Sequence, residues 1–306
     1  MPKDYKSLLN LLVRLSRTDR TLDEIKINQG RLLALQLRTI QTGRLADYEF
    51  KVFSQSGEDG ILQFLTSNLA IPNKTFIEFG VEDFSESNCR FLMMKDSWSG
   101  FVMDGSASNI RRLEATYYYW RHNLRARAAF VTRETVVSLL EESQFDKNVG
   151  ILSVDIDGMD YHVLSELGRW TPCILIVEYN ALFGLERAVT VPYSASFRRT
   201  KAHYSNLYYG ASLRAFEHLA RQRGYAFVGT NSTANNAFFV RRDLLNTQVR
   251  EKPVLEAPPF APFREGRDQK GRPTFSSPSD GRKAISELPL TDVITGTELR
   301  VADLGI

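Results

Sequence analysis

The chain has 306 residues, 43% of them apolar, and a formal charge of +3. That length suits one large domain with appendages, and so small a charge argues against a surface built to hold nucleic acid. No apolar run is long enough for a transmembrane segment, the N-terminus lacks the apolar stretch of a signal peptide, and two cysteines, Cys89 and Cys173, make neither a disulfide framework nor a structural zinc site, so buried free thiols in a reducing cytoplasmic setting are expected.

The elements follow in chain order. Leu8, Leu11, Leu12, Leu15, Leu22, Ile25, Leu32 and Leu35 recur at helical spacing, which predicts one or two helices outside the main sheet. They either pack on the domain or serve as a dimerisation or docking helix, with Arg14, Arg17, Arg20 and Arg31 outermost. Gln29 breaks the heptad, which argues against a long coiled coil. A loop at 54–60 then leads into a helix. Short apolar runs at 76–80, 100–104, 127–131, 150–155 and 173–179 alternate with helical segments near 88–95, 108–120, 134–143 and 161–168. That alternation predicts βαβ units and a parallel sheet. Residues 184–207 show no clear period and are long enough for a functional loop. A helix at 211–223 precedes two strands, 225–230 and 237–241, close enough to pair as a hairpin. Residues 251–279, rich in Pro, Gly and charge, predict an extended tail, with a short element near 285–294. The domain expectation is a helical extension over 1–50, an α/β domain over 51–246 and a tail over 247–306.

Four apolar runs end on carboxylates: Glu78, Asp104, Asp155 and Glu178. Ligands of open α/β sheets bind beyond the carboxyl ends of the strands, so this edge is the candidate site. In Glu78-Phe-Gly80 an acid stands two residues before a glycine at a strand-to-loop turn. That arrangement suits an S-adenosylmethionine site, where the glycine admits close backbone approach. The glycine pattern of a dinucleotide site is missing, and so is a P-loop. Asp104 ends the next strand, where an acid can accept from both ribose hydroxyls or cap a turn with Gly105.

These residues carry a resemblance. Gln55-Ser-Gly-Glu58-Asp-Gly, Ile77-Glu-Phe-Gly-Val81, Ser87-Asn88, Asp104-Gly105, Val154-Asp-Ile-Asp-Gly-Met-Asp-Tyr161, Val177-Glu-Tyr-Asn180 and Asn236-Ala-Phe-Phe-Val-Arg241 together resemble the FkbM-type methyltransferases over roughly residues 52–245. The resemblance implies a doubly wound, mostly parallel, seven-stranded class I methyltransferase sheet with an N-terminal helical extension and an irregular C-terminal tail. It also implies S-adenosylmethionine as cofactor and methylation of a hydroxyl, often on a saccharide or glycoconjugate. Glu78, Gly80 and Asp104 would then bind the cofactor, with Gln55 and Glu58 closing over its aminoacyl end. The chain departs from the family by carrying Glu82 where glycine is more frequent. No acid follows the third strand, where Ala128-Ala-Phe-Val131 leaves adenine to backbone and apolar contacts.

Asp155-Ile-Asp157-Gly-Met-Asp160 is the densest chemical segment. Asp155 and Asp157 alternate along a strand end and so lean the same way. One of them could act as general base on a hydroxyl. Asp155, Asp157 and Glu178 could instead hold Mg²⁺ or another divalent cation, or Asp157 and Asp160 could cap the next helix. His203 is the candidate base outside the sheet; His122, His162 and His218 read as structural or surface residues. Arg187, Arg198, Arg199 and Lys201, with Tyr193 and Tyr204, suit an anionic glycan or a solvated loop. The expectation is therefore an S-adenosylmethionine-dependent O-methyltransferase with a saccharide acceptor. The alternatives are a degenerate scaffold that keeps the fold, or a methyltransferase for protein or a small metabolite.

Overall fold

The structure, a computed structural model, describes residues 3–40, 42–261 and 266–305; within the first helix the side chains of residues 3–17 lie outside the description. The expectations for Leu8, Leu11, Leu12, Leu15, Arg14 and Arg17 fall there. The N-terminal segment is one continuous helix, α1 (Lys3–Gln36), followed by 3₁₀ turns and α2 (Glu58–Asn68). Then come β1 (Thr75–Phe79), α3 (Arg90–Asp96), β2 (Ser99–Asp104), α4 (Ala107–Glu114), β3 (Leu124–Ala128), α5 (Val136–Glu141), β4 (Ile151–Val154), α6 (Asp160–Ser165) and β5 (Ile174–Glu178). After these the chain adds β6 (Val189–Thr190), α7 (Arg199–Ala202), α8 (Leu213–Gln222), β7 (Tyr225–Thr230), β8 (Asn236–Arg241), α9 (Pro278–Ala284), β9 (Pro289–Asp292) and β10 (Glu298–Arg300).

The main sheet has seven strands in the order β3-β2-β1-β4-β5-β8-β7. The first five are parallel to their neighbours, and β8 runs antiparallel to both β5 and β7. The predicted hairpin of residues 225–241 is this β7–β8 pair, with a bulge at Phe227/Gly229. Alternation along each strand divides the core in two. Ile77, Phe79, Phe101, Met103, Leu152, Val154, Leu175 and Val177 face a cluster with Val136, Val163 and Phe216 of α5, α6 and α8. Phe76, Val102, Ile151, Ile174 and Ile176 face Ile61, Leu92 and Leu113 of α2, α3 and α4. Each fully buried aromatic or aliphatic side chain contributes about 1.5–3 kcal/mol. Glu78, Asp104, Asp155 and Glu178 all share the parity of this second face, so one side of the strand-end edge collects the four acids.

Several boundaries differ from the sequence expectation for local reasons. The third strand begins at Leu124, not Arg127, because Gly100 on β2 donates to the Asn123 carbonyl and sets that register. Phe130 consequently sits beyond the strand, 43% exposed. The helix predicted through Trp120 stops at Glu114, and Tyr117–Trp120 lie in turns. Tyr118 is buried there against Phe84 and beneath the Arg90 guanidinium. The segment at 184–207 contributes β6 and α7. β6 pairs with β9, and β9 with β10, in a second, three-stranded sheet. The C-terminal residues thus return to the domain and bury Ile285, Leu290, Val301 and Leu304 against Met159, Phe183 and Val189. Among the described residues no helix is long and apolar enough to cross a membrane. Cys89 and Cys173 are buried free thiols.

Candidate functional site

A cavity of about 520 Å³ opens along the carboxyl ends of β1, β2, β4 and β5, a volume within the usual range for small-molecule sites. Gln55, Glu78, Gly80, Asp104, Asp155, Asp157 and Glu178 all line it; Glu58 and His203 are not among the lining residues.

At the β1–β2 end each acid is engaged by backbone. Glu78 is buried and accepts from the Ser87 hydroxyl (2.7 Å) and from the amides of Asn88 (2.8 Å) and Cys89 (3.3 Å). Burial outweighs these bonds and pushes its carboxyl up to about 7. Asp104 accepts from the Glu82 amide (2.9 Å), the Ser106 amide (2.7 Å) and the Asn109 side chain (3.0 Å). It therefore joins the loop after β1 to the start of α4, so the turn-capping role is present along with the place at the cavity wall. Gly80, at φ +71°, admits no side chain, because a Cβ would lie 1.6 Å from the Asp155 carbonyl oxygen. Its close approach is to the tip of β4, a packing demand the sequence does not reveal. Glu82 adopts φ +48°, a left-handed conformation that glycine takes without steric cost. The segment at Ala129–Thr132 supplies the apolar wall expected in place of an acid.

The 54–60 motif works differently from the sequence expectation. Glu58 accepts from the side-chain amides of Asn231 (2.7 Å) and Asn236 (2.9 Å) and from the Ser56 backbone (2.8 Å). It thus stands behind Asn236, which lines the cavity, and fixes the orientation of that amide. Asp59 accepts from three consecutive amides, Val52, Phe53 and Ser54, at 2.7–2.8 Å. Only the exposed Gln55 of this motif reaches the wall.

At the β4–β5 end the acids crowd one another. Asp155, Asp157 and Glu178 each offer a carboxylate oxygen within 4.8 Å of the others. The alternation expected for Asp155 and Asp157 is not the cause: β4 ends at Val154, and Asp157 turns left-handed at φ +58°. Burial, then the charge of Asp157, then that of Asp160 hold the Asp155 carboxyl well above the carboxylate range. Burial and then Asp155 do the same to Glu178. Two carboxyls that close share a proton more easily than they ionise together. Asp160 is removed from this cluster because it accepts from the Ile156 (2.8 Å) and Gly158 (2.9 Å) amides and so shapes the turn before α6.

Arg199, the first residue of α7, supplies the local positive charge. Its guanidinium donates to Asp157 at 2.9 Å, stands 3.6 Å from Glu178 and lies 3.6 Å from the centre of the Tyr209 ring. Arg199 also lines the cavity, with its charge engaged by these acids. Arg187 likewise pairs with Asp292 (3.5 Å), whereas Arg198 lines the cavity and stacks over Phe130 at 4.8 Å. His203 bonds Ser205 through Nδ1 at 2.8 Å. Oxygen-only donors suit a divalent cation in type, but Arg199 already occupies the cation's place against two of the three acids. As they stand, these residues do not fit a metal.

The sheet order, with an antiparallel strand inserted before the last, is that of the class I methyltransferase fold. No family model and no curated protein matches the chain. Solved structures similar to it include the magnesium protoporphyrin IX methyltransferase of Synechocystis PCC 6803 with bound S-adenosylmethionine, 11% identical with a TM-score of 0.38 over 60% of this chain and 77% of that one. An O-methyltransferase from neocarzinostatin biosynthesis, in complex with S-adenosyl-L-homocysteine and 1,4-dihydroxy-2-naphthoic acid, is 14% identical with a TM-score of 0.33 over 55% and 49%. An O-methyltransferase family protein from Burkholderia thailandensis is 9% identical with a TM-score of 0.38 over 60% and 58%. The chain thus spans about half the length of the second and under two thirds of the third.

Proposed function

We propose that the protein is an S-adenosylmethionine-dependent O-methyltransferase of the FkbM type, acting on a hydroxyl of a saccharide or glycoconjugate. The observation that carries this reading is a single cavity joining two unlike groups of acids, Glu78 and Asp104 at one end and Asp155, Asp157 and Glu178 at the other. Bound S-adenosylmethionine would supply an electrophilic methyl group. Asp104 spends three of its acceptor positions on loop bonds and keeps one, on Oδ2, for a ribose hydroxyl. Glu78 holds the 87–89 loop in place, and Gly80 keeps the β1 and β4 tips in contact. At the other end Asp155, close to Glu178, would take the proton from the acceptor hydroxyl as its oxygen accepts the methyl group and the methyl–sulfur bond breaks, leaving a neutral thioether. A high proton affinity suits a base that must meet an alcohol. Alignment of the acceptor is the larger part of such catalysis. It falls to the walls at Phe130, Tyr193, Phe197 and Arg198, where aromatic faces suit sugar rings. With Arg199 neutralising Asp157 and Glu178, no step is routed through a metal ion.

Calorimetry with S-adenosylmethionine tests the cofactor half. Binding is expected, and Asp104→Ala should weaken it at least tenfold; no heat and no thermal shift at millimolar cofactor would leave a scaffold that only keeps the fold. Transfer of radiolabelled methyl to cell-envelope glycan rather than protein or small-metabolite fractions tests the acceptor class. Activity that survives exhaustive chelation is expected, and its loss would restore the divalent-cation role of Asp155, Asp157 and Glu178.

A further inference from the structure

Helix α1 presents two opposed faces. On one, Asp23 bonds Arg90 (2.6 Å) and the Tyr117 hydroxyl (2.8 Å), Ile27 packs with Val52, Phe53 and Phe91, and Gly30 is so close to Phe91 that a Cβ would meet its ring at 2.6 Å. That face is fixed to the domain. The far side carries Leu22, Ile25 and Leu32, exposed by 50%, 57% and 66%. At 100° per residue these lie on one stripe together with Gln29, in the alternating three- and four-residue spacing of a heptad seam. In the sequence the same spacing runs upstream through Leu8, Leu11, Leu15 and Thr18.

We propose that this stripe pairs with its own copy, making the protein a homodimer through a parallel, in-register, two-stranded coiled coil of α1. Self-pairing accounts for Gln29, the residue that interrupts the apolar pattern. In a parallel pair it faces Gln29 of the second copy, and an amide carries both a donor and an acceptor, so the two satisfy each other and fix the register. The charges also sit away from the seam. Of the positions on and beside it from residue 18 on, only Asp19 and Lys26 are charged. Arg20 is spent on Glu24 (2.9 Å) and Arg31 on Asn28 (3.3 Å). A helix meant to lie on a lipid surface would flank its apolar face with lysine and arginine. The length is adequate as well. A 34-residue helix is about 51 Å long, enough for the roughly three to four heptads that sustain a coiled coil. A two-fold axis along the seam leaves both domains on the outer faces, where α1 already holds them.

Sedimentation equilibrium of the full chain tests this independently of methyl transfer. The expected mass is twice 34.8 kDa, returning to the single-chain mass in Ile25→Glu/Leu32→Glu. Both residues are exposed, so thermal unfolding of the domain should barely move. Since the native cysteines are buried, Leu32→Cys should give one disulfide-linked dimer on oxidation. A monomeric wild-type chain, which would leave the stripe to a different partner, overturns the proposal. So does a dimer that persists in the double glutamate variant, or one that dissociates there yet fails to crosslink through Leu32→Cys.

Discussion

The two ends of the cavity use the same kind of residue in opposite ways. Glu78 and Asp104 each accept from several loop and side-chain donors. Asp155 and Glu178 have mainly each other and one arginine, and the Glu178 Oε2 has no partner among the described residues. An acid held by three donors of its neighbouring loops is part of the scaffold that shapes a site, with little acceptor capacity to spare. An acid that is buried and also crowded by other acids has its proton affinity raised by both causes, burial first, and a raised proton affinity suits proton transfer from an alcohol. The same strand-end position therefore organises a loop on one side and, in the proposed reaction, handles the proton on the other. The cause of the difference is local: donors come from the loops after β1 and β2, whereas the turn after β4 spends its free amides on Asp160.

The most severe test of this comparison is the joint between the two ends. Gly80→Ala places a methyl group 1.6 Å from the Asp155 carbonyl oxygen at a φ that L-residues resist, so one of the two strand tips must move. A loss of about 3 kcal/mol or more is expected, read by urea denaturation. An unaffected midpoint would mean that the ends are not mechanically joined. Next, Asp155→Asn should lower kcat by about 10²–10³-fold while leaving calorimetric affinity for S-adenosylmethionine within twofold. Full activity would remove Asp155 from the mechanism. Arg199→Met acts on the same acids less directly. The guanidinium lowers the proton affinity of both Asp155 and Glu178, so its removal should move the acidic limb of the pH–rate profile to higher pH. A profile that keeps its limb and merely scales down would assign Arg199 to packing on Tyr209.

How much of this was legible in the sequence depends on how far the cause of each feature lies along the chain. The parallel core strands were visible because β1, β2, β4 and β5 are continuous apolar runs buried on both faces. The four acids stood out for the same reason, since a charge at the end of such a run is conspicuous. The function of Glu58 and Asp59 was not legible. The partners of Glu58, Asn231 and Asn236, lie more than a hundred residues away, and the three nearby amides held by Asp59 carry no side-chain signature. Arg199 was visible as a charge but not as a neutraliser of Asp157 and Glu178, because only the folded loop over 184–207 brings it to them. β6, β9 and β10 are two to four residues long, too short for a period to show.

A smaller effect separates the two ends through pH. Folded Glu78 keeps its proton up to about 7, whereas an unperturbed glutamate releases it near 4.5. The folded state then binds more protons through that window, so this group's contribution to stability falls as pH rises from 4.5 to 7. Asp59 and Asp160, each pushed up to about 6 by burial, act in the same direction from 3.8 upward. Melting curves should show Tm declining across this range in the wild-type chain, with a shallower decline in Glu78→Gln. An identical slope in the two proteins would mean that Glu78 is charged throughout.

The finest test concerns Glu82. Its backbone is left-handed at φ +48° while its amide holds Asp104 at 2.9 Å. A β-carbon in that conformation costs roughly 1–2 kcal/mol, and glycine removes the clash but loses about 0.5–1 kcal/mol through the freedom it gives the unfolded chain. The difference leaves Glu82→Gly more stable by about 0.5 kcal/mol. The amide to Asp104 is kept because it belongs to the backbone. The variant also withdraws a negative charge from the wall that Asp104 shares, so any cofactor bound there meets a less acidic surface. If the loop at this end is a scaffold, the gain should appear in denaturant midpoints with kcat unchanged. If kcat changes while stability does not, the Glu82 side chain takes part in the reaction, and the division between a loop-holding end and a reacting end does not survive.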